Sequence, residues 1–171
     1  MNYLLKVFNT KCKNTQFFIE LPKIYDKLTL GNFEYSTFKN LNTVNNKTII
    51  INLCEEKLPD INPNIIVCNL QLDDSFRQPY SYFKKIMIQC ISLMHIAKNN
   101  NYSIIVNCAA GINRSCSAIV AFAISNSIPI NNAINYIKTC KQNKYGNNNW
   151  PTLTNTQFVM YLKKLESDRR K

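Results

Sequence analysis

The sequence predicts an α/β fold, a mostly parallel central sheet flanked by helices. Short runs of consecutive apolar residues at 49–51, 65–67 and 104–106 read as strands covered on both faces. Between and after them lie segments of helical period, the clearest being Tyr82–Lys98, where Phe83, Ile86, Met87, Cys90, Leu93, Met94 and Ala97 share one face. Strands and helices alternate instead of clustering, the order that wraps helices around a parallel sheet.

Taken in order, residues 1–20 read as an N-terminal arm or helix. Its apolar Leu4, Leu5, Val7 and Phe8 need cover, and a homodimer contact is expected there. Residues 21–171 then form a single domain, a length that suits one core. Strands are expected at Ile24–Leu30, Thr48–Leu53, Ile65–Leu70 and Ser103–Asn107. After the Tyr82–Lys98 helix, Asn113–Ser125 is apolar nearly all round and predicts a buried helix. Ile130–Cys140 follows Pro129, a residue suited to a helix start. Thr154 and Gln157 have capping-box spacing ahead of a last helix, Phe158–Leu165.

Composition narrows the function classes. Hydrophobic residues make up 46% of the chain, enough to fill a core, and no apolar run approaches the ~20 residues that span a bilayer. The seven cysteines are odd in number and irregularly spaced, without a C-x-x-C pair, and there is one histidine. Free buried thiols in a reducing, cytoplasmic setting fit better than disulfides or a zinc site. The net charge of +11 favours a polyanionic partner, whether nucleic acid, acidic membrane or phosphorylated protein, or else is a solvated basic surface.

The segment Val106-Asn107-Cys108-Ala109-Ala110-Gly111-Ile112-Asn113-Arg114-Ser115 carries the chemistry. It reads as a buried strand, a cysteine, a short loop, an arginine and a buried helix. A cysteine there faces the positive end of a helix macrodipole and free N–H groups, which lower a thiol pKa. The N–H groups of such a loop form a nest for phosphate oxygens, and Arg114 supplies a planar fork for two of them. Gly111, one of three glycines in the chain, gives the tight turn its freedom.

Cys-x5-Arg-Ser resembles the signature loop of the cysteine-dependent protein phosphatases, and Cys108 to Ser115 is most similar to the poxvirus-type dual-specificity phosphatases. The likeness runs from about residue 20 to 165. Leu30-Gly31-Asn32 and Ile51-Asn52-Leu53 resemble the family's strand ends, and Asp73-Asp74-Ser75 followed by Tyr82-Phe83 resembles its general-acid loop. The resemblance implies a protein-tyrosine-phosphatase-like fold and a phosphorylated protein as substrate, with both phosphotyrosine and phosphoserine/threonine accepted. It implies a viral origin too, and a place in the host cytoplasm or the virion. Cys108 would be the nucleophile and Ser115 the donor that eases its departure. Arg114 and the N–H groups of Ala109, Ala110, Gly111, Ile112, Asn113 and Arg114 would bind the phosphate. Counting ten back from Phe83 gives Asp73 as the acid, with Asp74 as alternative or helper. Neither metal nor cofactor is implied.

One departure matters. The family nearly always has histidine before the nucleophile, and here Asn107 stands in its place. Asn107 can donate through its amide but carries no charge, so the Cys108 thiolate is expected to form at higher pH than in histidine-bearing relatives. Two other functions remain open: an RNA 5′-triphosphatase on the same loop, and a phosphoprotein-binding pseudophosphatase. The aspartates at acid spacing and the lack of an RNA-binding motif weigh against the first, so nucleic acid is the lesser partner; the retained Cys108, Arg114, Ser115 and Asp73 weigh against the second. His95 reads as a boundary residue, Cys116 as a small core residue that could also pair with an oxidised Cys108, and Trp150 and Phe158 as packing anchors.

Overall fold

A computed structural model describes residues 16–37, 46–59, 63–146 and 150–169. Five strands form one sheet: β1 (Phe18–Glu20), β2 (Leu28–Asn32), β3 (Thr48–Asn52), β4 (Ile65–Asn69) and β5 (Ser103–Cys108). The spatial order is β1-β2-β5-β3-β4, antiparallel between β1 and β2 and parallel elsewhere. The helices are α1 (Phe33–Thr37), α2 (Tyr80–Asn99), α3 (Arg114–Ser125), α4 (Ile130–Tyr145) and α5 (Thr156–Arg169). This is the expected α/β architecture, with β5 central and its carboxyl end carrying the cysteine loop.

Burial follows strand position. β3 is buried throughout and β5 nearly so, as continuous apolar runs require. β4 departs from the expectation of two covered faces: it is an edge strand, and Ile66 is 48% exposed. Helix α3 is the hub, buried at every residue from Ser115 to Ile124 and packed against α2, α4 and α5.

Several boundaries move. Phe18–Glu20 belongs to the sheet, so the division at residue 20 falls inside paired structure. Leu4, Leu5, Val7 and Phe8, where the dimer contact was expected, lie outside the described residues. The strand placed at Ile24–Leu30 begins at Leu28, because residues 21–28 fold back in a turn closed by Leu21 N–H to Leu28 O at 2.9 Å. Helix α4 runs on to Tyr145 and stops at Gly146, whose φ is +79°. Helix α5 starts at Thr156, and its cap is Asn155, whose Oδ1 accepts from the N–H of Gln157 (3.1 Å) and Phe158 (3.3 Å). The Thr154/Gln157 capping box does not form: Thr154 Oγ1 turns to Asn113 Oδ1, and Gln157 Nε2 to Tyr161 and Gln78.

Candidate active site

Cys108 ends β5 and Arg114 begins α3, so the five residues 109–113 wrap the space between a strand end and a helix N-terminus. Gly111 sits at φ +67°, where a side chain is strained, and a Cβ there would meet the Phe17 ring at 2.8 Å. Among the described residues the N–H groups of Ala109 to Asn113 donate to no backbone carbonyl. They are the unspent donors an anion takes up.

The cysteines separate chemically. Cys108, Cys54, Cys90 and Cys116 are all buried. Burial pushes Cys54 and Cys90 up to about 12 and Cys116 up to about 11. Burial opposes ionisation of Cys108 as well, but Arg114 and the hydroxyl and N–H of Ser115 outweigh it, and the thiol lies below its ordinary value. Cys108 Sγ and Ser115 Oγ are 3.1 Å apart. The cation facing the Cys108 thiolate is Arg114, and Asn107 adds no charge beside it.

Arg114 is aimed by two carbonyls. Its Nη1 donates to Leu53 O and Leu72 O, each at 3.2 Å, which fixes the guanidinium plane at the strand ends. Its Nε is buried and has no partner among the described residues. One edge of the fork is thus held by protein and another donor is left for a bidentate anion.

Asn107 joins a chain of amides. Asn69, Asn52 and Asn107 are neighbours in register on β4, β3 and β5 and so project to one face. Asn107 Nδ2 donates to Asn52 Oδ1 at 2.8 Å, Asn52 Nδ2 to Asn69 Oδ1 at 2.8 Å, and Asn69 Nδ2 to Leu58 O at 3.1 Å. Asn107 Nδ2 also lies 3.8 Å from Cys54 Sγ. Each amide donates away from β5, which leaves Asn107 Oδ1 buried without a hydrogen bond, a cost of about 1–3 kcal/mol. The chain fixes the strand end under Cys108 by neutral dipoles.

The aspartates have different surroundings. Asp74 Oδ1 accepts from Asn155 Nδ2 at 3.0 Å and Oδ2 from Asn113 Nδ2 at 3.2 Å. Asp74 is exposed as a residue, but its carboxyl end is packed among neighbours, and that desolvation raises its pKa, while those two amides and Arg114 pull it down and Asp73 pushes it up. Asp73 is exposed as well; its backbone N–H donates to Gln78 Oε1, and no hydrogen bond ties its carboxylate to the cysteine loop among the described residues. The structure therefore gathers Cys108, Arg114, Ser115, the 109–113 loop and Asp74, with Asp73 beside them at the solvent face.

Other residues singled out earlier have modest places. His95 is half-buried, 3.0 Å from Ser125 Oγ and edge-on to Phe122. Phe158 packs in the core on Phe83. Trp150 does more than pack, since its Nε1 donates to Ala110 O at 3.0 Å. Lys141 and Asn155 were missed as site residues, and Asn113 was expected only for its N–H, not for the side chain that meets Asp74, Thr154 and Asn155; in sequence Lys141 and Asn155 are each one polar residue among many, and only the fold brings them to the loop. Among the described residues, no three His, Cys, Asp or Glu side chains come together to hold a metal, and no helix is long and apolar enough to cross a membrane.

Comparison with known proteins agrees with this geometry. Residues 28–158 match the family model of the dual specificity phosphatase catalytic domain. Dual specificity protein phosphatase 22-A of Danio rerio is 27% identical over 105 residues, covering 61% of this chain and 49% of that protein, so the match spans about half of the relative's length. Among solved structures, human DUSP28 superposes with a TM-score of 0.69 at 14% identity, covering 86% of this chain and 93% of that one. OH1 from the Orf virus, described as a tyrosine phosphatase with triple substrate specificity, superposes with a TM-score of 0.63 at 16% identity, covering 96% and 98%. At those identities the structural likeness speaks for the fold.

Proposed function

Because the chain belongs to the dual specificity phosphatase catalytic-domain family, we propose that it hydrolyses phosphotyrosine and phosphoserine/threonine on proteins through a phosphocysteine on Cys108. The observation that carries the reading is the contrast among buried thiols: Cys54, Cys90 and Cys116 are held protonated, while Cys108, beside Arg114 and Ser115 at the foot of the loop, is pushed toward thiolate.

The steps follow from the groups in place. The Cys108 thiolate attacks phosphorus and the substrate oxygen leaves. Arg114 and the loop N–H groups carry the charge on the equatorial oxygens. An aspartic acid gives the leaving oxygen its proton, then takes one from the water that hydrolyses the phosphocysteine. Ser115 hydrogen-bonds to the departing sulfur. No metal takes part in this scheme. Spacing assigns the acid to Asp73, and the hydrogen bonds support that division: both Asp74 oxygens already accept from amides, which suits a latch between the acid loop and the phosphate loop. The raised pKa of Asp74 points the other way. The hydrogen bonds favour Asp73, because a general acid needs an oxygen free to donate.

The test is hydrolysis of a small aryl phosphate across pH 5–8, with reductant and chelator, beside C108S. Turnover that vanishes in C108S is the expected result. A folded wild-type chain that binds phosphopeptide without turnover would overturn it and favour the pseudophosphatase reading.

A further inference from the structure

Three consecutive carbonyls of the phosphate loop accept from Trp150, Lys141 and Leu153, and Cys116 Sγ is a second, longer donor to Gly111 O at 3.4 Å. Ala110 O accepts from Trp150 Nε1 at 3.0 Å, Gly111 O from Lys141 Nζ at 2.8 Å, and Ile112 O from Leu153 N–H at 3.0 Å. A trans peptide is planar, with its C=O and the next N–H on opposite sides. Tying down these consecutive carbonyls therefore turns the N–H groups of Gly111, Ile112 and Asn113 to the face opposite the donors. Trp150 is itself fixed by stacking on Phe17, with ring centroids 4.5 Å apart.

Lys141 is the unusual member. It is 2% exposed and is the only buried Lys, Arg, Asp or Glu among the described residues. Each ammonium proton has an acceptor: Gly111 O at 2.8 Å, Pro151 O at 2.9 Å and Cys116 Sγ at 3.6 Å, with the Phe17 ring centroid 5.4 Å away. None of these partners is a carboxylate. A buried cation without a counter-anion is a poor structural choice where an apolar side chain would pack. It becomes a sound one if the balancing charge arrives with the substrate.

We infer that Lys141 is a positioning residue for phosphate: through Gly111 O it fixes and polarises the Gly111–Ile112 peptide, and its charge, lodged behind the loop, is balanced by the bound dianion. Trp150 and Leu153 hold the peptides on either side. The inference rests on the phosphatase reading of the loop.

The 171-residue wild type, K141M and W150F are titrated calorimetrically with tungstate, an oxyanion that mimics phosphate. Aryl phosphate kinetics and thermal unfolding are measured alongside. K141M, which loses the charge and the bond to Gly111, is expected to bind tungstate about 10-fold more weakly and to lose more in kcat than in KM. W150F keeps the stacked ring and loses one donor, and a roughly threefold weakening is expected. A purely structural Lys141 would lower the unfolding midpoint and leave the tungstate affinity of the folded protein unchanged, which would overturn the inference. If K141M does not fold, W150F decides, and unchanged affinity there overturns it. Wild type that neither binds tungstate nor turns over would overturn the functional reading and this inference together. Wild type that does both, beside unaffected variants, would overturn this inference alone.

Discussion

The phosphate loop and the acid loop meet at one site but are held in opposite ways. Residues 109–113 rest on a buried strand and a buried helix, with the carbonyls of 110–112 tied from behind. In the acid loop Asp73, Asp74, Phe76 and Arg77 are exposed, Phe76 at 65%. Its ties are few: Leu72 O to Arg114, Asp74 to Asn113 and Asn155, and Gln78 to α5. The difference tracks the work proposed for each. Donors that stabilise charge are effective when they need no reorganisation at the moment of reaction, so that loop is preset. A group that gives a proton and later recovers one gains from freedom to shift.

The comparison breaks first at Arg114. R114K keeps the charge but loses the planar fork, and kcat for an aryl phosphate should fall by about 10²–10³-fold. A loss under tenfold would mean that the loop N–H groups bind the phosphate without the fork. The acid loop comes next. With a poorly activated alkyl phosphate, D73N should lose on the order of 10²-fold in kcat and flatten the basic limb of its pH profile. D74N should lose far less in kcat and raise KM, as expected of a latch. The reverse pattern would make Asp74 the acid.

The smallest effect should be N107H, read by pH-dependent alkylation. In wild type, iodoacetamide near neutral pH should modify Cys108 while sparing Cys54, Cys90 and Cys116, as mass spectrometry would show. For an acid whose pKa is lowered the reactive form is the thiolate, so the rate rises with pH and levels off above the Cys108 pKa. N107H should shift that curve to lower pH by adding a cation beside the thiolate. An unmoved curve would show that Arg114 and Ser115 already suffice.

The sequence displayed the parts of this molecule that are local. Cys108, Gly111, Arg114 and Ser115 lie within eight residues, and continuous apolar runs marked β3 and β5 as strands covered on both faces, though the same signal failed for the edge strand β4. What it hid depends on distant strands and helices meeting. Asn69 and Asn52 became partners of Asn107 only through strand order. Lys141 reads as one of many lysines on a polar helix face until the fold buries it against Gly111. Strand β1 was missed because three residues carry too little pattern, and its pairing is set by β2. Asn155 displaced Thr154 as the α5 cap because Asn113, forty-one residues before Thr154, engages the Thr154 hydroxyl.

The ring of Phe17 has a practical consequence. It lies ahead of the segment 28–158 that matches the family, yet it fills the space under Gly111, stacks on Trp150 and lies near Lys141. Asn32 holds it in place, accepting the Phe17 N–H through Oδ1 and donating its own N–H to Phe17 O, each at 3.0 Å. Trimming the protein to its recognisable domain would therefore remove the floor of the phosphate loop while leaving Cys108, Arg114, Ser115, Asp73 and Asp74 in the sequence. The smallest unit with the proposed activity should be longer than the family match, and expression of a shortened chain should begin no later than the residue before Phe17.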